Sequence, residues 1–433
     1  MNSATPRAWV VTADMGYGHQ RAAFPFRDIA RERIITANSD TIVGAREKKM
    51  WRQFQRFYET VSRLGRIPLV GPCLWKAYDR FQSISPFYPF RDLSKPTLGS
   101  LRLHRMIDNG FARSVPDYAR RENLPFLSTF FAVALAADHL GLPDVSCVVT
   151  DSDISRIWVA ENPEESRVVY FAPTARAQKR LMLYGVPGER VFLTGFPLPA
   201  ENVATVRDDL AGRIAALDPR GEFRAKYRGI LAGEIGPIPE ADRPLTVVFA
   251  VGGAGAQAEI AREILVSLRP ALEGGRIRIC LVAGTRLEVN GFFLETIRDV
   301  GLAEELGKSV HVLASLSKTD YFTKFNQVIR GADVLWTKPS ELSFYCALGL
   351  PVVMTPPIGS HEECNSDWLI KTGAGIPQED PSAAADWIFD WRDRGFLALS
   401  AFNGFFNAPR HGAENIKALL FSKDRARVKT RLP

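Results

Sequence analysis

Cysteine is scarce in this chain of 433 residues: there are five, Cys73, Cys147, Cys280, Cys346 and Cys364. Their number is odd, they are scattered, and no two stand in Cys-x-x-Cys spacing. A disulfide framework and a cysteine-ligated zinc site are therefore not expected. Long apolar runs are also lacking. None reaches the roughly 18 to 20 residues that span a bilayer as a helix, and the opening Met1-Asn2-Ser3-Ala4-Thr5-Pro6 does not read as a signal peptide. Reduced thiols and a cytoplasmic protein are the expectation. No repeat or low-complexity tract appears, and histidine is limited to six residues.

What is present is ordinary globular composition, 46% hydrophobic and 24% charged with 28 Pro and 33 Gly, which excludes a disordered, collagenous or coiled-coil chain. At about 150 residues per domain the length allows two or three units. Lys and Arg exceed Asp and Glu by 55 to 48, a net charge of +7. A mild basic excess suits anionic partners (phosphates, an acidic membrane face, nucleic acid) without choosing among them.

Short β-branched runs alternate with helical patterns. Strands are expected at 7–13, 146–150, 168–172, 191–194, 245–251, 277–283, 310–313, 333–337 and 352–355. Helices are expected at 20–35, 130–140, 175–184, 257–268, 321–330 and 342–348. The strand runs are nearly continuous in apolar residues, as in Thr246-Val247-Val248-Phe249-Ala250-Val251. Strands covered on both faces read this way, and their alternation with helices predicts parallel sheets built from βαβ units. The rhythm breaks before residue 244, where GILAGEIGPIPEADRP marks a junction. The expected organisation is an α/β unit over 1–200, a linker over 201–243, a second α/β unit over 244–395, and a helix with a basic tail over 396–433.

Residues 46–91 carry ten Lys or Arg, three acids and ten aromatics. Phe54, Phe57, Tyr58 and Val61 share one helical face. That stripe reads either as core-facing or as an interfacial element whose aromatics enter a lipid surface while basic side chains meet anionic headgroups. No nucleic-acid module accompanies it, and no nucleic-acid partner is expected.

Two glycine-rich loops each follow an expected strand and open an expected helix: Asp14-Met15-Gly16-Tyr17-Gly18-His19, and Gly252-Gly253-Ala254-Gly255-Ala256-Gln257. Glycines permit a sharp turn and close approach of a ligand to the backbone, and amides at a helix start suit a diphosphate. His19 titrates in the range of a general base, although by position alone a capping or satisfied surface histidine is the commoner case. Arg286, just past the strand at 277–283, is a candidate phosphate clamp. Lys338-Pro339-Ser340-Glu341 ends a strand and opens a capped turn. His361 and Asn365 lie one helical turn apart beside Glu362, and could equally grip sugar hydroxyls or form a solvated helix start.

Taken together, these segments resemble the glycosyltransferases of the monogalactosyldiacylglycerol synthase and processive diacylglycerol glucosyltransferase group. The relevant motifs are the Asp14–His19 loop, Thr150-Asp151, Gly185-Val186-Pro187 with Thr194-Gly195-Phe196-Pro197, the Gly252 loop, Lys338 to Gly349-Leu350-Pro351, and Gly359–Asn365 running on to Gly373-Ala374-Gly375. They recur in order over about residues 8–376. The resemblance implies a GT-B fold, two Rossmann-like domains with parallel sheets facing across a cleft. It also implies metal-independent, inverting transfer from a nucleotide-sugar, a UDP-sugar, to a lipid or other hydrophobic acceptor, with no cofactor.

Carried over by position, His19 is the base, with Gly16, Tyr17, Gly18 and Asp151 on the acceptor side. Gly252, Gly253 and Gly255, joined by Arg286, hold the diphosphate. Lys338, Ser340, Glu341, His361, Glu362 and Asn365 hold nucleotide and sugar. Trp51, Arg52, Phe54, Arg56 and Phe57 fall where the family keeps its membrane-facing region, which implies a protein peripheral to the inner face of the membrane. Tyr17 replaces a glycine of the family, His361 a glutamine, and Phe344 stands where the family has a ribose-gripping glutamate. Two alternatives rest on the same fold: a nucleotide-sugar-binding protein that has lost turnover, and a UDP-sugar 2-epimerase-like isomerase.

Overall fold

The computed structural model describes residues 6–64, 84–240, 243–252 and 257–432, with the backbone alone for 56–64. Two six-stranded parallel sheets organise the chain. The first contains β1 (Trp9–Thr12), β2 (Ile35–Thr36), β3 (Phe126–Ser128), β4 (Val145–Val148), β5 (Val169–Ala172) and β6 (Val191–Leu193), in the order β2-β1-β3-β4-β5-β6. Val11 of β1 stands opposite Ile35 on one side and Ser128 on the other. The second contains β7 (Leu245–Ala250), β8 (Ile277–Gly284), β9 (Val310–Ala314), β10 (Val334–Thr337), β11 (Val352–Met354) and β12 (Gly375–Pro377), in the order β12-β11-β10-β7-β8-β9. Every residue of β1, β4, β5, β10 and β11 is buried, as the apolar runs require.

In each sheet the strand order reverses beside its first strand, between β1 and β3 in one and between β7 and β10 in the other. Open parallel sheets bind ligands outside the carboxyl ends of the strands at such a reversal. The loops after β1, β3, β7 and β10 are therefore where chemistry is expected.

Two compact units divide the chain. The first is the chain up to Pro197 with Gly359–Cys364 and His411–Leu432, and the second is Leu198–Ile358 with Asn365–Arg410. The C-terminal helix Gly412–Leu420 belongs to the first unit, where Ile416 and Leu419 join Val10, Phe26, Leu127 and Phe171 in one buried cluster. Residues 201–243, expected as a linker, carry helices at Ala200–Ala204, Val206–Leu217, Glu222–Lys226 and Arg228–Glu234. Within Val206–Leu217, Arg213 is wholly buried and donates to the carbonyls of Ala332 (2.6 Å), Leu348 (2.8 Å), Gly349 (3.1 Å) and Ile329 (3.4 Å).

The helix expected over 20–35 is shorter. It runs Tyr17–Ala23, tightens to a 3-10 turn at Phe24–Phe26 around Pro25, and gives way to β2. Proline supplies no N–H to continue the helical ladder.

The membrane-facing reading of Trp51 and Phe54 is overturned. Both lie on the helix Ala45–Leu64, 1% and 9% exposed, within the first unit's core. The Trp51 ring centroid is 4.4 Å from that of Phe111 and 5.7 Å from that of Phe130. Its Nε1–H donates to Glu47 Oε1 at 3.1 Å, and Glu47 Oε2 accepts from the Ser114 amide and hydroxyl at 2.8 and 2.6 Å. Rings so enclosed remove more apolar surface from water in the core than a headgroup layer would cover. Arg52 is exposed, and the side chains of Arg56 and Phe57 lie outside the described residues. Among the described residues of the stretch the exposed aromatics are instead Tyr88 (68%) and Phe90 (53%), with Lys179 Nζ 5.2 Å from the Phe90 ring centroid.

Trp51→Ala is expected to lower the unfolding free energy by about 3–5 kcal/mol, whereas Arg52→Ser changes it by less than about 0.5 kcal/mol, as read by urea denaturation. Equal effects of the two would contradict the core placement.

Candidate functional site

In the first unit, β1 runs into Ala13-Asp14-Met15-Gly16, and the helix Tyr17–Ala23 begins at once. Gly16 precedes that helix with φ 113°, a value that side chains resist, although open space surrounds the position of an added Cβ. Asn38, just beyond β2, fixes the loop from the side. Its Oδ1 accepts from the Asp14 amide at 2.8 Å and its Nδ2 donates to Asp14 O at 3.0 Å. Tyr17 and Gly18 are the first two residues of the helix, both half-buried.

His19 follows, and Thr129 grips it twice. The His19 Nδ1 lies 2.7 Å from Thr129 O, and the Thr129 hydroxyl donates to His19 O at 2.8 Å. A carbonyl can only accept, so Nδ1 carries the proton and the neutral ring keeps its basic lone pair on Nε2. Phe130 packs edge-on to the imidazole at 4.9 Å, and Trp158 lies 6.2 Å away.

The exit of β4 reaches the same place. Thr150 Oγ1 lies 3.4 Å from His19 Nδ1 and 3.5 Å from Asp151 Oδ2. Two residues on, the buried Asp153 accepts from Arg176 Nε at 2.7 Å and Arg180 Nε at 2.8 Å, which fastens the loop to the helix Ala175–Leu183. The structure thus brings Gly16, Tyr17, Gly18, His19 and Asp151 together at the carboxyl edge where the strand order reverses.

In the second unit the corresponding edge joins Gly252, after β7, to Lys338, after β10. A Cβ on Gly252 would collide with Lys338 Cε, so a larger residue there would displace the lysine stem lying over it. Gly253 and Gly255 lie outside the described residues. The Ser340 amide donates to Lys338 O at 2.8 Å and the Ser343 amide to Ser340 O at 3.0 Å, folding the chain into the 3-10 helix Glu341–Leu348. Ser340 and Glu341 are half-buried, whereas Phe344 is buried 5.1 Å from Trp368, ring to ring. Arg286 precedes the helix Leu287–Asp299 and its Nη1 donates to Glu288 Oε1 at 3.1 Å.

His361, Glu362 and Asn365 all lie on the helix Ser360–Thr372. Glu362 and Asn365 are buried, and His361 Nδ1 is buried without a hydrogen-bond partner. His361 and Glu362 fall in the segment grouped with the first unit and Asn365 in the second. Sequence reasoning missed Asn38 and Thr129. Thr129 follows a three-residue strand too short to give a pattern, and Asn38 acts through a long-range side-chain contact that leaves no local signal.

A family model described as a domain of unknown function (DUF6938) matches residues 294–376, a span that includes Lys338, Ser340, Glu341, His361, Glu362 and Asn365. The processive diacylglycerol beta-glucosyltransferase of Bacillus subtilis (strain 168) is 22% identical over 231 residues, 53% of this chain and 49% of that protein. The match thus spans about half the length of that curated relative. Among solved structures, MurG from Acinetobacter baumannii aligns at 15% identity and a TM-score of 0.48, covering 96% of this chain and 99% of that one. The UDP-GlcNAc 2-epimerase from Neisseria meningitidis bound to UDP-GlcNAc aligns at 13% identity and a TM-score of 0.47, covering 95% and 98%. The fold rests on the two strand orders: paired Rossmann-like parallel units, as in the GT-B class, in a chain with weak sequence similarity to a glucosyltransferase.

Proposed function

We propose that this protein is a glycosyltransferase that moves a sugar from a nucleotide-sugar, a UDP-sugar, to an acceptor hydroxyl in a single inverting displacement. The observation that carries the reading is His19, held by Thr129 at the strand-order reversal of the first sheet with its basic nitrogen set as Nε2. In this reading Nε2 takes the proton of the acceptor hydroxyl as that oxygen attacks the anomeric carbon. The bond from that carbon to the diphosphate breaks, and the nucleoside diphosphate leaves with the electron pair. Lys338 and the Gly252 loop meet the growing phosphate charge, Arg286 after β8 is assigned to the same phosphates, and no metal is invoked. Glu341, Ser340, His361, Glu362 and Asn365 are assigned to nucleotide and sugar, and Asp151 and Tyr17 to the acceptor.

A hydrophobic acceptor is supported by the weak similarity to the diacylglycerol glucosyltransferase and by the exposed Tyr88 and Phe90 with Lys179 beside them. No helix among the described residues is long and apolar enough to cross a membrane. Peripheral association would therefore rest on Tyr88 and Phe90, not on Trp51 and Phe54.

Nitrogen NMR on the neutral protein is expected to show His19 protonated at Nδ1; the opposite tautomer would remove it as the base. His19→Ala is expected to cut transfer by about a hundredfold or more with donor affinity nearly unchanged, measured by product formation and calorimetry. Gly252→Val should weaken nucleotide binding by displacing the Lys338 stem. A UDP-sugar isomerised without acceptor would favour the epimerase alternative, and tight binding with neither transfer nor hydrolysis would favour a protein that has lost turnover.

A further inference from the structure

The second unit carries a cavity of about 340 Å³ where the helices Ile260–Glu273 and Ala384–Asp393 meet, with Ser267, Arg276, Asp386, Phe389, Arg392 and Asp393 in its lining. Arg276 directly precedes β8, and its carbonyl accepts from the amide of Leu245, the first residue of β7, at 3.2 Å. The cavity thus reaches the amino ends of these strands, whereas Gly252 and Lys338 follow the carboxyl ends of β7 and β10. Ligand sites run from roughly 300 to 1,000 Å³, so this one suits a compact molecule.

The charged groups around it are not spent alike. Arg392 donates to Asp393 Oδ1 through Nε at 2.8 Å and through Nη2 at 2.7 Å, so that pair is closed. Arg276 has no such carboxylate. Its guanidinium carbon lies 5.2 Å from the centroid of the Phe389 ring, with that of Arg392 4.8 Å from the same centroid. Among the described residues the Arg276 side chain makes no ion pair and no hydrogen bond, and Asp386, in the first turn of Ala384–Asp393, has no cationic partner. Ser267 Oγ accepts from the Ala385 amide at 3.0 Å, and its hydroxyl hydrogen is left to donate. One cation, one anion and one hydroxyl donor therefore line the same cavity without closing on each other. The ring of Phe389 holds Arg276 without neutralising it, so a carboxylate that pairs with Arg276 breaks no existing ion pair.

We infer that this cavity binds a small zwitterion, a free α-amino acid, with its carboxylate on Arg276 and Ser267 and its ammonium on Asp386. A guanidinium offers a carboxylate two parallel charge-assisted N–H bonds. A ligand with only one charge would cover one of the two side chains without pairing it, and that desolvation counts against binding. A dipolar ligand meets both. The site lies at the ends of β7 and β8 remote from Gly252 and does not depend on the nucleotide-sugar reading.

Calorimetry on the full chain with each of the standard α-amino acids, up to about 10 mM, tests this, and at least one is expected to bind with a Kd of about 1 mM or tighter. The N-acetyl derivative and the methyl ester of that amino acid each lack one of the two charges, and each is expected to bind at least about tenfold more weakly. Arg276→Gln and Asp386→Asn should weaken the amino acid itself by the same factor. Both side chains are exposed, so the two variants should unfold at the urea concentration of the wild type. Arg278→Gln, at an exposed arginine of β8 outside the lining, should keep full affinity. The inference is overturned if the wild type binds none of the amino acids, if either derivative binds as well as its parent, or if Arg276→Gln and Asp386→Asn leave the affinity unchanged.

Discussion

Arg213 is a fixed positive charge in a place with almost no water, and the second unit is built around accommodating it. Burial lowers its pKa to about 10 despite the raising effect of the Asp333 and Asp209 charges, and its hydrogen-bond partners are four backbone carbonyls. Those carbonyls sit at two chain ends, Ile329 and Ala332 where the helix Lys318–Gly331 finishes, and Leu348 and Gly349 where the 3-10 helix Glu341–Leu348 finishes. Terminal carbonyls have no partner within their own helices, so the guanidinium supplies what both lack. The two ends flank β10 in sequence, and β10 delivers Lys338. Leu210, one turn before Arg213, fills the space over Gly349, whose φ of 71° already favours glycine. Lys338 thus lies in sequence between two helix ends that are joined by one side chain, from a segment whose composition reads as a linker.

The first unit solves the corresponding problem with polar side chains and with the buried Asp153–Arg180 ion pair. Thr129 holds His19 through one side-chain and one backbone contact, Asn38 holds Asp14 through both atoms of its amide, and Asp153 ties the next loop to the helix after β5. Thr129 and Asn38 follow the strands on either side of β1, whereas Asp153 lies on the loop that it fixes. The two edges share a logic: a glycine permits the turn, and a polar side chain from the neighbouring strand exit selects one conformation of it.

Much of this was legible in the sequence because parallel strands buried on both faces leave continuous apolar runs; β7 and β8 are plain from Thr246-Val247-Val248-Phe249 and Ile279-Cys280-Leu281-Val282. The turn after β1 that carries His19 to the strand-order reversal was legible through its glycines. What escaped has particular causes. β2, β3 and β12 are two or three residues long and carry no periodicity. The stripe of Phe54 is the same whether it faces lipid or a core, and only Phe111, Phe130 and the Glu47–Trp51 hydrogen bond distinguish the two. Residues 201–243 look like a junction because glycine and proline crowd their end, yet their helices are anchored by Arg213, a residue that sequence patterns assign to the surface.

The return of the helix Gly412–Leu420 to the first unit has a consequence for the order in which the protein can be made. Val10, Phe26 and Phe171 leave the ribosome early, but the cluster that buries them is completed by Ile416 and Leu419, and Lys417 pairs with Asp28 from 389 positions away. The second unit holds all of its own residues by Arg410. During synthesis the half that emerges first is therefore the half finished last, and one apolar face of its sheet stays uncovered while the later half can already fold.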